Sequence, residues 1–190
     1  MSTASATTPW ISPEDYLRGE LLSDIRHEYF AGEVFAMAGA SENHNYIAGN
    51  IFGELYLHLR GKKCASFMND MKAHIHSDGD DWFYYPDVMV NCEPAGQHKF
   101  HCDTPSVIVE VLSPDTEATD RREKRLAYEK IATLHTYVLV AQDRRELLIF
   151  RRKPGGGWSR ESLPDAGDSL RLPELDFELS LDAIYARTGL

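Results

Sequence analysis

The sequence is poor in cysteine, in basic charge and in long apolar runs. Its three cysteines, Cys64, Cys92 and Cys102, show no CxxC spacing. That argues against a disulfide framework and a structural zinc site, and buried free thiols in a reducing cytosol are the expectation. Lys and Arg number 20 against 30 Asp and Glu, a formal net charge of -10. Such a balance disfavours a general nucleic-acid binder, because phosphate contacts need cations and an acidic surface repels a polyanion over about a Debye length. A local basic patch can still serve. No apolar run approaches the roughly 18 residues of a membrane span, and the Ser/Thr/Ala-rich start has neither a basic nor an apolar leader segment. The chain is therefore expected in the cytoplasm, with no membrane partner. No internal repeat or linker divides it, so residues 9–190 are expected to form one domain behind a frayed tail at 1–8, with 43% hydrophobic residues to build a core.

Two apolar runs organise what is present. Tyr85-Pro86-Asp87-Val88-Met89-Val90 and Val107-Ile108-Val109-Glu110-Val111-Leu112 are long enough for buried strands, yet each carries one carboxylate. An ionised carboxylate taken out of water costs several kcal/mol unless a cation, a metal or several donors compensate. Two on neighbouring strands suggest a divalent-cation site. For either alone, a half-solvated strand end or an Arg partner is the competing reading.

Around these runs the pattern predicts a short helix from Ser12 and a hairpin over 27–38 turning at Ala31-Gly32. Glu28 and Glu33 read as solvated hairpin charges, with Glu33 also placed to lean toward the metal centre. Ser41 reads as the N-cap of a long helix, with Ile47, Ile51, Leu55 and Leu59 on its buried face and His44 one turn up the same stripe. Strands follow at 64–68 and 71–76, and Trp82 to Val90 reads as one long strand carrying Asp87. His74 and His76 alternate with Ile75 and read as a solvated strand face; His98 and His101 fall in a polar connection. Thr116 or Thr119 caps a helix running to about Ile131 with Leu126, Ala127 and Ile131 buried. On it, Asp120, Lys124 and Tyr128 share one stripe. Strands at 136–140 and 147–150 flank a tight turn, 163–181 reads as extended, and a short closing helix begins at Asp182.

In that order, strand-Asp, strand-Glu, helix-Lys, the chain resembles the Uma2 family of the PD-(D/E)xK nuclease superfamily. The resemblance covers nearly the whole length. It rests on Glu-Tyr-Phe-Ala-Gly-Glu-Val-Phe-Ala-Met-Ala-Gly at 28–39, His44, Tyr-Pro-Asp at 85–87, Val-Glu-Val-Leu-Ser-Pro-Asp-Thr at 109–116, Asp120, Lys124, Tyr128, Tyr-Val-Leu-Val at 137–140 and Leu-Pro-Glu-Leu-Asp-Phe-Glu-Leu at 172–179. It departs from the superfamily pattern at Leu112, where the lysine two positions after the second acid would stand; Lys124 is the candidate replacement.

The resemblance implies an α/β (α+β) restriction-endonuclease-like core, a mixed central β-sheet flanked by helices with additional β-hairpins. It further implies a Mg²⁺-dependent (or Mn²⁺-dependent) endonuclease acting on double-stranded DNA, working as a homodimer. Asp87, Glu110, Lys124 and His44 would be catalytic, with Asp87 and Glu110 holding the metal. Asp120, Tyr128 and Glu33 would support them from behind, and Arg121, Arg122 and Arg125 would contact DNA. The alternative is a non-catalytic interaction protein that keeps the nuclease scaffold.

Overall fold

A computed structural model describes residues 10–37, 39–93, 98–113, 120–164 and 167–190, the side chains of Asp120 and Arg121 excepted. The expected frayed tail at 1–8 and the Thr116 or Thr119 cap lie outside these residues.

Ser41 caps α2 (Glu42–Leu59) through its Oγ, which accepts the His44 N–H at 3.1 Å. Ile47, Ala48, Ile51, Leu55 and Leu59 are buried, the face that four-residue spacing demands. That face packs on a six-stranded sheet built from β3 (Ala65–Met68), β6 (Val88–Asn91), β8 (Pro105–Leu112), β9 (Thr136–Ala141), β10 (Leu147–Arg152) and β11 (Trp158–Leu163). The strand order is β11-β10-β9-β8-β6-β3, with β8 and β9 parallel and the other pairs antiparallel. Val88, Val90, Val107, Val109 and Val111 point to α2, while Met89, Ile108 and Leu112 point away. Both faces are covered, which is why these strands read as unbroken apolar runs.

The second face meets a five-stranded sheet in the order β2-β1-β5-β4-β7. Its members are β1 (His27–Phe30), β2 (Glu33–Ala36), β4 (Lys72–Ser77), β5 (Asp80–Tyr84) and β7 (His101–Cys102). The Ala31-Gly32 turn has φ of 44° and 105°, and a Cβ on Gly32 would stand 2.0 Å from Trp10 Cδ1, so glycine is required there. Helix α1 (Pro13–Glu20), capped by Ser12, lays Tyr16 against Tyr29 with ring centroids 5.0 Å apart. The chain ends with the β12 (Ser169–Leu172) and β13 (Phe177–Ser180) hairpin and α4 (Leu181–Ile184), which close over the α2 side. The architecture is the expected mixed α+β class, with its strands divided between two main sheets.

Three expectations change. Trp82 to Val90 is not one strand: β5 and β6 belong to different sheets, and Tyr85-Pro86-Asp87 crosses between them. Pro86 lacks the N–H that would continue a ladder. Among the described residues, the segment after β8 is a π turn, Asp120–Lys124, that continues as α3 (Arg125–Tyr128). Its buried side is Lys124, Ala127, Tyr128 and Ile131, so Ala127 and Ile131 are covered as expected while Leu126 is exposed. Finally, Cys64 and Cys92 are not free thiols. Ala65 opposes Asn91 across the antiparallel β3–β6 pair. One step further sets Cys64 against Cys92, and the two are disulfide-bonded with Cα atoms 4.0 Å apart. Cys102 is a buried free thiol, its pKa raised by burial.

Candidate active site

Asp87 immediately precedes β6, and the Val88↔Val109 register places it opposite Glu110 one step further along. Its Oδ2 accepts the Val111 N–H at 2.7 Å and lies 3.2 Å from His44 Nε2. His44 reaches that oxygen from the first turn of α2. Glu110, only 3% exposed, accepts the Tyr128 hydroxyl at 2.9 Å on Oε1, which lies 3.6 Å from Lys124 Nζ. Lys124 is itself buried and donates at 2.7 Å to Glu28 Oε1, an oxygen that also accepts the Tyr85 N–H at 3.3 Å. The cluster is thus assembled from the hairpin, the crossing between sheets, the middle of β8 and the π turn.

Among the described side chains, Glu28 and Glu110 both face the Lys124 ammonium and Asp87 stands opposite Glu110, so carboxylates outnumber ammonium groups there. Burial, followed by the nearby Glu110, holds the Tyr128 phenol well above its ordinary range. Its hydroxyl therefore remains a donor to Glu110. The Tyr84 ring lies 5.4 Å below Lys124 Nζ, and burial followed by Glu28 raises that phenol as well. A cleft of about 680 Å³ lies between the start of α2 (Ser41, Asn43), the end of β8 (Leu112, Ser113) and the β9–β10 turn (Gln142, Arg144); Asp87, Glu110, Lys124 and His44 do not line it.

Residues 13–183 match the family described as "Uma2: Putative restriction endonuclease". The chain belongs to the Uma2 family. The uncharacterized protein slr1290 of Synechocystis is 35% identical to this Uma2 protein over 182 residues, covering 95% of this chain and 94% of the relative. The uncharacterized protein sll1609 of the same organism is 32% identical over 140 residues, 72% of this chain and 78% of the relative. A crystal structure from Anabaena variabilis, described as a "putative nuclease belonging to DUF820", superposes with a TM-score of 0.74 over 94% of this chain and 99% of that one, at 17% identity. The family description supports a nuclease-like function; the structural likeness shows a shared fold.

In this Uma2 protein Asp87, Glu110, Lys124, His44 and Tyr128 come together as a group. Lys124 reaches Glu110 from the π turn although Leu112 fills the strand position two residues on. Glu33 does not join them: it is exposed at the turn end of β2, opposite Phe30. Glu28 is the hairpin carboxylate that does. Tyr29 faces α1, so Glu28 faces the opposite way, toward Tyr84 and Lys124. The parity of the hairpin was readable in advance; which face the helix covers was not. Arg122 is exposed on the π turn, whereas Arg125 pairs with Glu129 and lies 5.4 Å from the Phe150 ring. The side chains of Asp120 and Arg121 lie outside the described residues.

Proposed function

We propose that this Uma2 protein is a metal-dependent endonuclease hydrolysing DNA phosphodiester bonds, with residues 9–190 acting as one nuclease domain. The observation that carries the reading is Lys124 Nζ at 3.6 Å from Glu110 Oε1, opposite Asp87. Asp87 and Glu110 offer the hard carboxylate oxygens that Mg²⁺ or Mn²⁺ takes, and the excess negative charge around Lys124 is what a divalent cation offsets. When bound, the ion would act as a Lewis acid and lower the pKa of a coordinated water.

The protein's own groups then divide the remaining work. Lys124 orients the attacking water and offsets charge developing on the phosphoryl oxygens, a contribution of about 10² to 10³ in rate for one well-placed donor. His44 Nε2, 3.2 Å from Asp87 Oδ2, carries its hydrogen toward that acceptor oxygen, so the proton that the water loses would be received at the other ring nitrogen, Nδ1. Tyr128 fixes the Glu110 carboxylate and Glu28 fixes Lys124, the task assigned from sequence to Tyr128, Asp120 and Glu33. Arg121, Arg122 and Arg125 contact the DNA backbone, with binding that weakens steeply as salt rises. Cutting both strands of a duplex calls for two sites, hence a two-fold homodimer. A DNA substrate places the work in the cytoplasm.

The test is nicking of supercoiled plasmid with Mn²⁺. Wild type should nick, and Lys124→Ala and Asp87→Ala should not; equal nicking by all three overturns the assignment. The second reading, an interaction protein on a nuclease scaffold, is favoured by the Lys124–Glu28 bond, which already satisfies the lysine. Calorimetry separates the two, since failure of the wild type to bind either Mg²⁺ or Mn²⁺ leaves only the scaffold.

A further inference from the structure

We propose that His74, His101 and Asp103 form a second metal site, distinct from the carboxylate cluster, and that it takes Zn²⁺. Among the described residues these three are the one group of His, Cys, Asp or Glu whose ligand atoms all lie within 4.8 Å of one another. His74 Nδ1 is 2.8 Å from Asp103 Oδ1, and His101 Nε2 is 3.5 Å from the same oxygen. Zinc bonds of about 2.0 to 2.2 Å in a tetrahedron set neighbouring ligands about 3.3 to 3.6 Å apart. Of the two distances to the half-exposed Asp103, 3.5 Å falls within that spacing and 2.8 Å falls short of it, and the His74 and His101 nitrogens lie within 4.8 Å of each other.

The surroundings supply what a zinc-binding imidazole needs behind it. The other nitrogen of His74, Nε2, lies 2.7 Å from Asp81 Oδ1, and Asp81 also takes His76 Nδ1 at 3.0 Å. A carboxylate on the far side of the ring fixes its tautomer and orientation and makes the ligating nitrogen more basic. The His74 ring is further held flat against Phe83, with centroids 4.3 Å apart. His74 and His101 both stand on paired strands, β4 and β7, whose parallel register sets His101 beside Lys72. Two imidazoles and one carboxylate suit Zn²⁺, whereas Mg²⁺ seeks oxygen alone.

The two sites lie on opposite faces of one sheet. His74 opposes Phe83, and Phe83 opposes Tyr29, so all three face the α1 side. Tyr84, one residue on, faces Lys124. A cavity of about 310 Å³ bordered by Leu17, Lys72, His98 and His101 touches the site at His101 alone of the three ligands. Three protein ligands leave a fourth position for water or another donor. The pattern of alternating histidines on β4 thus acquires a role that a solvated strand face does not explain.

The experiment is calorimetric titration of untagged, chelator-stripped full-length protein with Zn²⁺, with Co²⁺ as a spectroscopic probe. Wild type should bind one Zn²⁺ per chain at this site and show the visible absorption of tetrahedral Co²⁺. Asp103→Ala, whose side chain is half exposed and whose fold is checked by circular dichroism, should weaken this binding at least tenfold and abolish the Co²⁺ band. Asp81→Asn should weaken it by about 10- to 100-fold. Asp87→Ala, on the other face, should leave it unchanged. Absence of stoichiometric Zn²⁺ binding by the wild type overturns the proposal. So does binding that survives Asp103→Ala but is lost in Asp87→Ala, which would put the zinc among the carboxylates.

Discussion

Lys124 Nζ lies 2.7 Å from Glu28 Oε1, joining residues 96 positions apart and tying the π turn to the first hairpin. Both groups are largely withdrawn from water, so the loss of one strands the other. Glu28→Ala should cost about 3 kcal/mol of stability, read from the urea midpoint, because it leaves a buried ammonium with one partner fewer. Glu28→Gln keeps an acceptor and should recover part of that loss. In the plasmid assay both should nick more slowly than wild type, and an unchanged rate would remove Glu28 from the support of Lys124.

Tyr128→Phe removes only the hydroxyl that Glu110 Oε1 accepts at 2.9 Å. The ring still fills its site between Tyr84 and Tyr137. The expected cost is about 1 to 3 kcal/mol, the penalty for a buried acceptor deprived of its donor. Mg²⁺ affinity should fall about tenfold as the carboxylate loses its orientation, measured by calorimetry beside the wild type.

The Cys64–Cys92 bond closes a loop with a sequence separation of 28. Cross-linking a loop of that length stabilises a fold by about 3 to 4 kcal/mol when the unfolded chain bears the constraint. Cys64→Ser, or reduction with dithiothreitol, should therefore lower the urea midpoint. Thiol titration of the denatured, unreduced protein should find one reactive group, rising to three after reduction.

Tyr185 gives a pH dependence of definite sign. Its hydroxyl donates to Ala141 and Glu146 carbonyls, and burial pushes its pKa from 10.0 up to about 12. The folded state favours the neutral phenol, so the contribution is complete below pH 10 and is lost as pH rises from 10 through 12. It amounts to about 2 kcal/mol. Urea midpoints measured across that range should fall more steeply for wild type than for Tyr185→Phe.

Much of the site is legible in the chain because its chemistry is incongruous where it stands. Asp87 and Glu110 stand out as charges in apolar runs, Ser41 as a cap, and His44 as the polar residue opening an apolar helix stripe. Lys124 and Tyr128 share a stripe that survives the change from α to π winding. What escapes is anything that depends on long-range register. Period-2 alternation says that Glu28 and Tyr29 face opposite ways, but only the docking of the helix decides which face is covered. Cys64 and Cys92 are paired by the β3–β6 ladder, and no spacing rule anticipates that. Pro86 is a ladder breaker set inside an apolar run long enough to read as one continuous strand, and the run hides the crossing between sheets.

The crossing at Tyr85-Pro86-Asp87 ties chemistry to architecture. Glu28 rides on one sheet and Glu110 on the other, with Lys124 gripping the first and standing near the second. Splaying the layers must pull this lysine from one acid or the other, so the same side chain registers whether the two halves of the molecule are shut.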